Sequence, residues 1–164
     1  MLAYVFWHRP RVGVPAADYE RCLGAFHSRL AAPSASFRVS SLPFAEGGGY
    51  EDWYLVEGWA DLGDLNARAT SGLLRDPHDA VAEVADEGWG GVYTLVRGDR
   101  RPPLRTRWVS KPAGESYEVF LDMVQAPTVW QRQMVLGPAP EFCVVDDGEV
   151  APKSSATTRT MVGL

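Results

Sequence analysis

Cysteine is scarce in this chain. Of 164 residues only two are cysteine. Cys22 and Cys143 form no CxxC pair and no His/Cys spacing of a metal-ligand set. That pattern reads as two free thiols in a reducing, cytoplasmic setting. Positive charge is in deficit, with 16 Lys and Arg against 21 Asp and Glu, a net charge of −5. A general phosphate-neutralising surface is therefore excluded, and nucleic acid is not an expected partner. Long apolar runs are missing: nothing approaches the ~20 residues of a membrane helix. The apolar start, Leu2 to Trp7, has no basic segment before it and no small-residue cleavage site after it, so no signal peptide is expected. Also missing are G-x-S-x-G, the Walker loop, the Rossmann fingerprint and the HExxH or HxH pair. These absences argue against nucleophilic hydrolysis, nucleotide hydrolysis and a local metal site, and no cofactor is expected.

What is present is a folded composition: 46% hydrophobic, 11% aromatic and 23% charged residues. Glycine and proline are abundant, at 16 and 12 residues, which predicts many short elements with tight connections. Leu2 to His8 has the branched and aromatic content of a strand. A helix is predicted from Pro15 to Ala32, because Tyr19, Cys22, Leu23, Phe26 and Leu30 make one apolar stripe. Phe37 to Phe44 and Tyr50 to Trp59 read as a hairpin around Gly47-Gly48-Gly49. Asp61 opens a short helix to Thr70, and Asp76-Pro77 opens a second to Asp86. Trp89 to Arg97 is the fourth strand. The order through residue 98 is strand, helix, strand, strand, helix, strand, the split βαβ pattern.

After the charged linker Gly98 to Pro103 the pattern restarts. Thr106 to Lys111 is a strand ending in Lys-Pro, as the first ends in Arg-Pro. Tyr117, Phe120, Leu121 and Val124 repeat the helical register of Tyr19, Cys22, Leu23 and Phe26. Val129 to Leu136, Glu141 to Asp146 and Arg159 to Leu164 complete a second, reduced copy without its second helix. The expected class is α+β, with a complete ferredoxin-like unit over residues 1–98 and a reduced one over 104–164, packed as one body.

This element order and duplication resemble the dimeric α+β barrel superfamily, which includes antibiotic-biosynthesis monooxygenases, EthD-like proteins and muconolactone isomerases. The resemblance implies two units whose sheets close against each other, as a pseudo-dimer within the chain or a homodimer of it. It also implies a small-molecule pocket between sheet and helices, with a His near the start of the second helix region taking part. His78 best matches that position.

The residues themselves point the same way. His78 shares a face with Val81, Ala82 and Ala85 and sits at a helix start, where the dipole favours a neutral imidazole. It is the candidate base or orienting donor. His8 ends the first strand on the face of Tyr4 and Phe6; if that face is interior it ends at the pocket rim, and otherwise it is an exposed strand-end residue beside Arg9. Trp53 and Tyr54 point to opposite faces of their strand, so at most one of the two lines the pocket. Arg132, between Trp130 and Met134, is a candidate anion anchor that could pair with Glu141. His27 reads as a boundary residue. Asp52 and Glu57, five apart on a strand, make no carboxylate pair. The function expected is binding of an apolar or aromatic carbonyl compound, as a cofactor-free oxygenase or isomerase. A non-catalytic binding or dimerisation module, and haem binding with His78 as axial ligand, are the alternatives.

Overall fold

Strict alternation in the first strand decides where everything else packs. In β1 (Leu2–Pro10), Tyr4, Phe6 and His8 point to one face, and Ala3, Val5 and Trp7 to the other. The computed structural model of the chain describes residues 1–136, 142–145 and 159–161. It follows β1 with α1 (Ala16–His27), β2 (Ser34–Val39), β3 (Gly49–Val56), α2 (Trp59–Ala69), a 3₁₀ turn at Gly72–Leu74, α3 (Arg75–Val84) and β4 (Ala85–Arg97). Then come β5 (Thr106–Val109), α4 (Tyr117–Met123), β6 (Val129–Leu136), β7 (Phe142–Val145) and β8 (Arg159–Met161).

The protein is α+β. One sheet of eight strands runs β5-β7-β6-β4-β1-β3-β2-β8, and every pairing in it is antiparallel. β3 lies between β1 and β2, and β1 lies between β3 and β4. The later strands repeat part of this order: β7 lies between β5 and β6, as β3 lies between β1 and β2. Among the described residues, two strand pairings join the halves. β6 pairs with β4, and β8 pairs with β2.

The sheet is strongly curled. Four strand spacings separate β5 from β1, about 19 Å if flat, yet the Trp108 ring of β5 lies 4.9 Å from that of Trp7. It also stacks on Trp53 of β3 at 6.1 Å. The curl encloses an aromatic core of Trp7, Phe37, Trp53, Tyr93 and Trp130. The helices cover the other face. α1 presents Tyr19, Leu23, Phe26 and His27 to it, and Phe120 of α4 packs on Val129 and Phe142.

Several boundaries differ from the sequence expectation: β3 ends at Val56, not Trp59, and α3 ends at Val84, so β4 begins at Ala85 where helix was expected to run to Asp86. α1 ends at His27, not Ala32, and β2 starts at Ser34 and stops at Val39, where a turn closed by Leu42 N–H to Gly47 C=O begins. α2 starts at Trp59, two residues before Asp61, whose carboxylate accepts the Gly58 N–H at 3.0 Å. The last strand holds Arg159–Met161, while residues 162–164 lie outside the described residues, as does Glu141.

Candidate functional site

A cavity of about 760 Å³ lies between the sheet and helices α1 to α3, within the usual range of small-molecule sites. Its floor is aromatic. Tyr4 stacks on Phe6 at 6.1 Å and on Tyr54 at 5.9 Å. Glycines on β4 keep that floor low. A Cβ on Gly88 would stand 2.5 Å from Phe6 Cζ, and one on Gly90 would stand 2.7 Å from Tyr4 Oη. Leu23 and Phe26 of α1, Leu65 of α2 and Val81 of α3 form the apolar roof.

At the inner end the cavity meets Asp52, 2% exposed, on β3. All of its contacts fall on one oxygen. Oδ2 accepts the Tyr54 hydroxyl at 2.8 Å and lies 3.1 Å from Nε2 of both His8 and His27. Oδ1 is buried without a hydrogen-bond partner. The contacts continue outward on both sides. His8 Nδ1 is 2.6 Å from the Tyr19 hydroxyl, and His27 Nδ1 is 2.9 Å from Ser34 Oγ at the half-buried start of β2. His8 Nε2 lies within ion-pair distance of the carboxylate but off the hydrogen-bonding axis, and resting sites are often loosely aligned in this way.

Burial by itself would push the Asp52 carboxyl up. The His8 and His27 imidazoles outweigh it and hold the group well below the usual carboxylate range. The same environment pushes phenols up. Burial and then the Asp52 charge raise Tyr54 and Tyr19, so both stay protonated donors. A buried anion thus faces two imidazoles and protonated phenols beside an apolar cavity.

The opposite face of β3 carries a second buried carboxylate. Glu51, 1% exposed, accepts three indole N–H groups: Trp7 and Trp108 at 3.0 Å each, and Trp53 at 2.6 Å. It lies in the aromatic core, away from the cavity.

The structure brings His8 and Tyr54 into the cavity end and places Trp53 on the far face, bound to Glu51. His78 lines the cavity at its outer part, with a side chain 37% exposed. Its Nδ1 is 3.1 Å from Asp79, and its ring meets Phe26 edge-on at 6.0 Å. Arg132 does not line the cavity. It sits on β6, half-buried, opposite Tyr93 of β4.

Sequence reasoning passed over Asp52, Tyr19 and His27. The signal for Asp52 was two adjacent acids inside the strand Tyr50 to Val56, whose seven residues are all buried. Tyr19 belongs to the apolar stripe of α1 and is buried, so its hydroxyl has no signal of its own in the chain. Among the described residues, no group of three or more His, Cys, Asp or Glu is arranged to hold a metal ion, and no helix is long and apolar enough to cross a membrane. Both cysteines are free thiols. Compared with known protein families, curated proteins and solved structures, the chain matches none.

Proposed function

We infer that the protein binds an apolar, ring-bearing small molecule in the cavity and moves a proton on it without a cofactor, as an isomerase does. One observation carries the reading: the cavity ends on a buried carboxylate whose two imidazoles lead to a phenol on one side and toward solvent on the other. The arrangement has the logic of a hydroxyl, histidine and carboxylate relay. Tyr19 oxygen takes a proton from a carbon next to a carbonyl while its own proton passes to His8 Nδ1. The imidazolium so formed is stabilised by Asp52. Reversal of the same steps returns the proton to a different carbon of the enolate, and the isomer leaves. His27 and Ser34 extend the chain from Asp52 to the half-buried edge of the sheet.

The fold supports a matching architectural reading. The order β4-β1-β3-β2 is that of a ferredoxin-like unit, and β5, α4, β6 and β7 repeat its first half. With β6 on β4 and β8 on β2, the two unequal halves of one chain make the pairings that two copies make in a dimeric α+β barrel. In this reading the pseudo-dimer takes the place of the expected homodimer, and His78 and Arg132 lose their central roles to Tyr19, His8 and Asp52.

The test is deuterium exchange. 2-Acetonaphthone in deuterated buffer should lose its methyl proton signal faster with the protein than without it. His8→Gln and Asp52→Asn should remove the acceleration, by about 10²-fold or more for a general base. If the ketone binds but exchange is not accelerated, the protein is a binding module and not an isomerase.

A further inference from the structure

The cavity lining is one-sided in charge. Asp52 at the inner end, with Asp86 and Glu87 on the exposed start of β4, are its ionisable acids. Among the described residues, neither lysine nor arginine lines it. Glu87 is held by Arg9 at 3.1 Å, which leaves Asp86 and Asp52 to set the field. The imidazoles that face the cavity or its carboxylate are His8, His27 and His78. The contacts on Asp52 all serve Oδ2, while Oδ1, itself buried, has no donor, and Asp52 lines the cavity. Native proteins rarely bury an ionised oxygen without a donor unless a ligand or a chemical step uses it. The rings of Tyr4, Phe6 and Tyr54 around it present π faces, which attract cations.

Resting on the pocket reading above, we propose that the ligand of this site carries a protonated amine on its apolar body, and that Asp52 receives the ammonium through Oδ1. A neutral hydroxyl would satisfy the same oxygen but would gain nothing from Asp86 or from the ring faces. A carboxylate would be repelled at both ends of the cavity. The candidate anion anchor Arg132 does not line the cavity, and the acids Asp86 and Glu87 do.

Three isosteric probes separate the outcomes by calorimetry: 2-naphthalenemethylamine, 2-naphthalenemethanol and 2-naphthoate. The amine should bind about tenfold tighter than the alcohol, as expected for a charge-assisted bond over a neutral one, and the naphthoate should bind weakest. Asp52→Asn should bring amine and alcohol to within about threefold of each other. Asp86→Asn, at an exposed position, should lower amine affinity about twofold to threefold at low salt and leave the alcohol unchanged. This second variant carries the test if Asp52→Asn fails to fold. Alcohol binding equal to or tighter than the amine overturns the proposal and leaves the pocket reading standing. Amine affinity unchanged in Asp86→Asn and in any folded Asp52→Asn also overturns it. If none of the three probes binds, the pocket reading itself fails.

Discussion

Glu51 and Asp52 are neighbours in one strand, equally buried, and face opposite sides of the sheet. Their difference lies in how their hydrogen-bonding capacity is used. Both oxygens of Glu51 are occupied, by indoles from β1, β3 and β5. It ties the late strand β5 to the centre of the sheet, within the aromatic core. Asp52 has every contact on one oxygen, and a cavity beside it. Burial of charge therefore does not by itself mark a site. An unused acceptor on a residue that lines a cavity does, because a ligand can complete it.

The comparison breaks most sharply on stability. Glu51→Gln leaves one carbonyl oxygen for three indole donors, so at least one N–H is stranded. We expect a loss of about 2–4 kcal/mol in urea unfolding, enough to approach the limit of a domain this size. Asp52→Asn should cost less, about 1–3 kcal/mol, because Tyr54 keeps a carbonyl acceptor. It should also change the acid limb. The folded-state carboxyl lies below its unfolded value of about 3.9, so its contribution is present above that value and is lost as pH falls from there toward the folded-state value. Wild type should lose stability over that interval, and Asp52→Asn should lose distinctly less. Equal acid limbs would mean that the imidazoles do not hold the charge.

A smaller effect sharpens the cavity side. Gly90→Ala places a methyl 2.7 Å from Tyr4 Oη, so the ring must rise into the cavity. Stability should fall by about 1–2 kcal/mol, as in an overpacked site. Binding of 2-naphthalenemethanol should weaken about tenfold, a loss near 1.4 kcal/mol. The smallest effect belongs to His78→Ala. With a partly exposed ring bonded only to its neighbour Asp79, stability should move within about 0.5 kcal/mol, and the alcohol's affinity by no more than twofold. A large loss on either measure would return His78 to the centre of the site.

Much of the architecture was legible because it rests on local periodicity. The stripe of Tyr19, Leu23 and Phe26 announces α1, and alternation through Tyr4, Phe6 and His8 assigns a face. The end of β2 was not legible, since the turn after Val39 is closed by a backbone bond across Gly47 that no side chain advertises. The site was legible only in pieces. Strand parity put His8 on the face of Tyr4 and Phe6 and left Trp53 and Tyr54 as alternatives. Asp52 was weighed only as a partner for Glu57, yet its partners come from α1 and β1, 25 and 44 residues earlier. His27 looked like a boundary residue because its stripe meets Ser34 and Asp52 only once α1 is laid on β2 and β3. Convergence across elements is a property of the packed sheet and leaves no spacing in the chain.

The indoles around Glu51 have an optical consequence. Trp7 and Trp108 meet with ring centres 4.9 Å apart, close enough for their excited states to couple. Trp53 lies 6.1 Å from Trp108. Such a cluster gives a signed circular-dichroism couplet that vanishes when β5 lifts from the sheet, even while every helix remains. The carboxylate that fastens the second half of the chain to the first thus also makes their separation visible by absorption of polarised light.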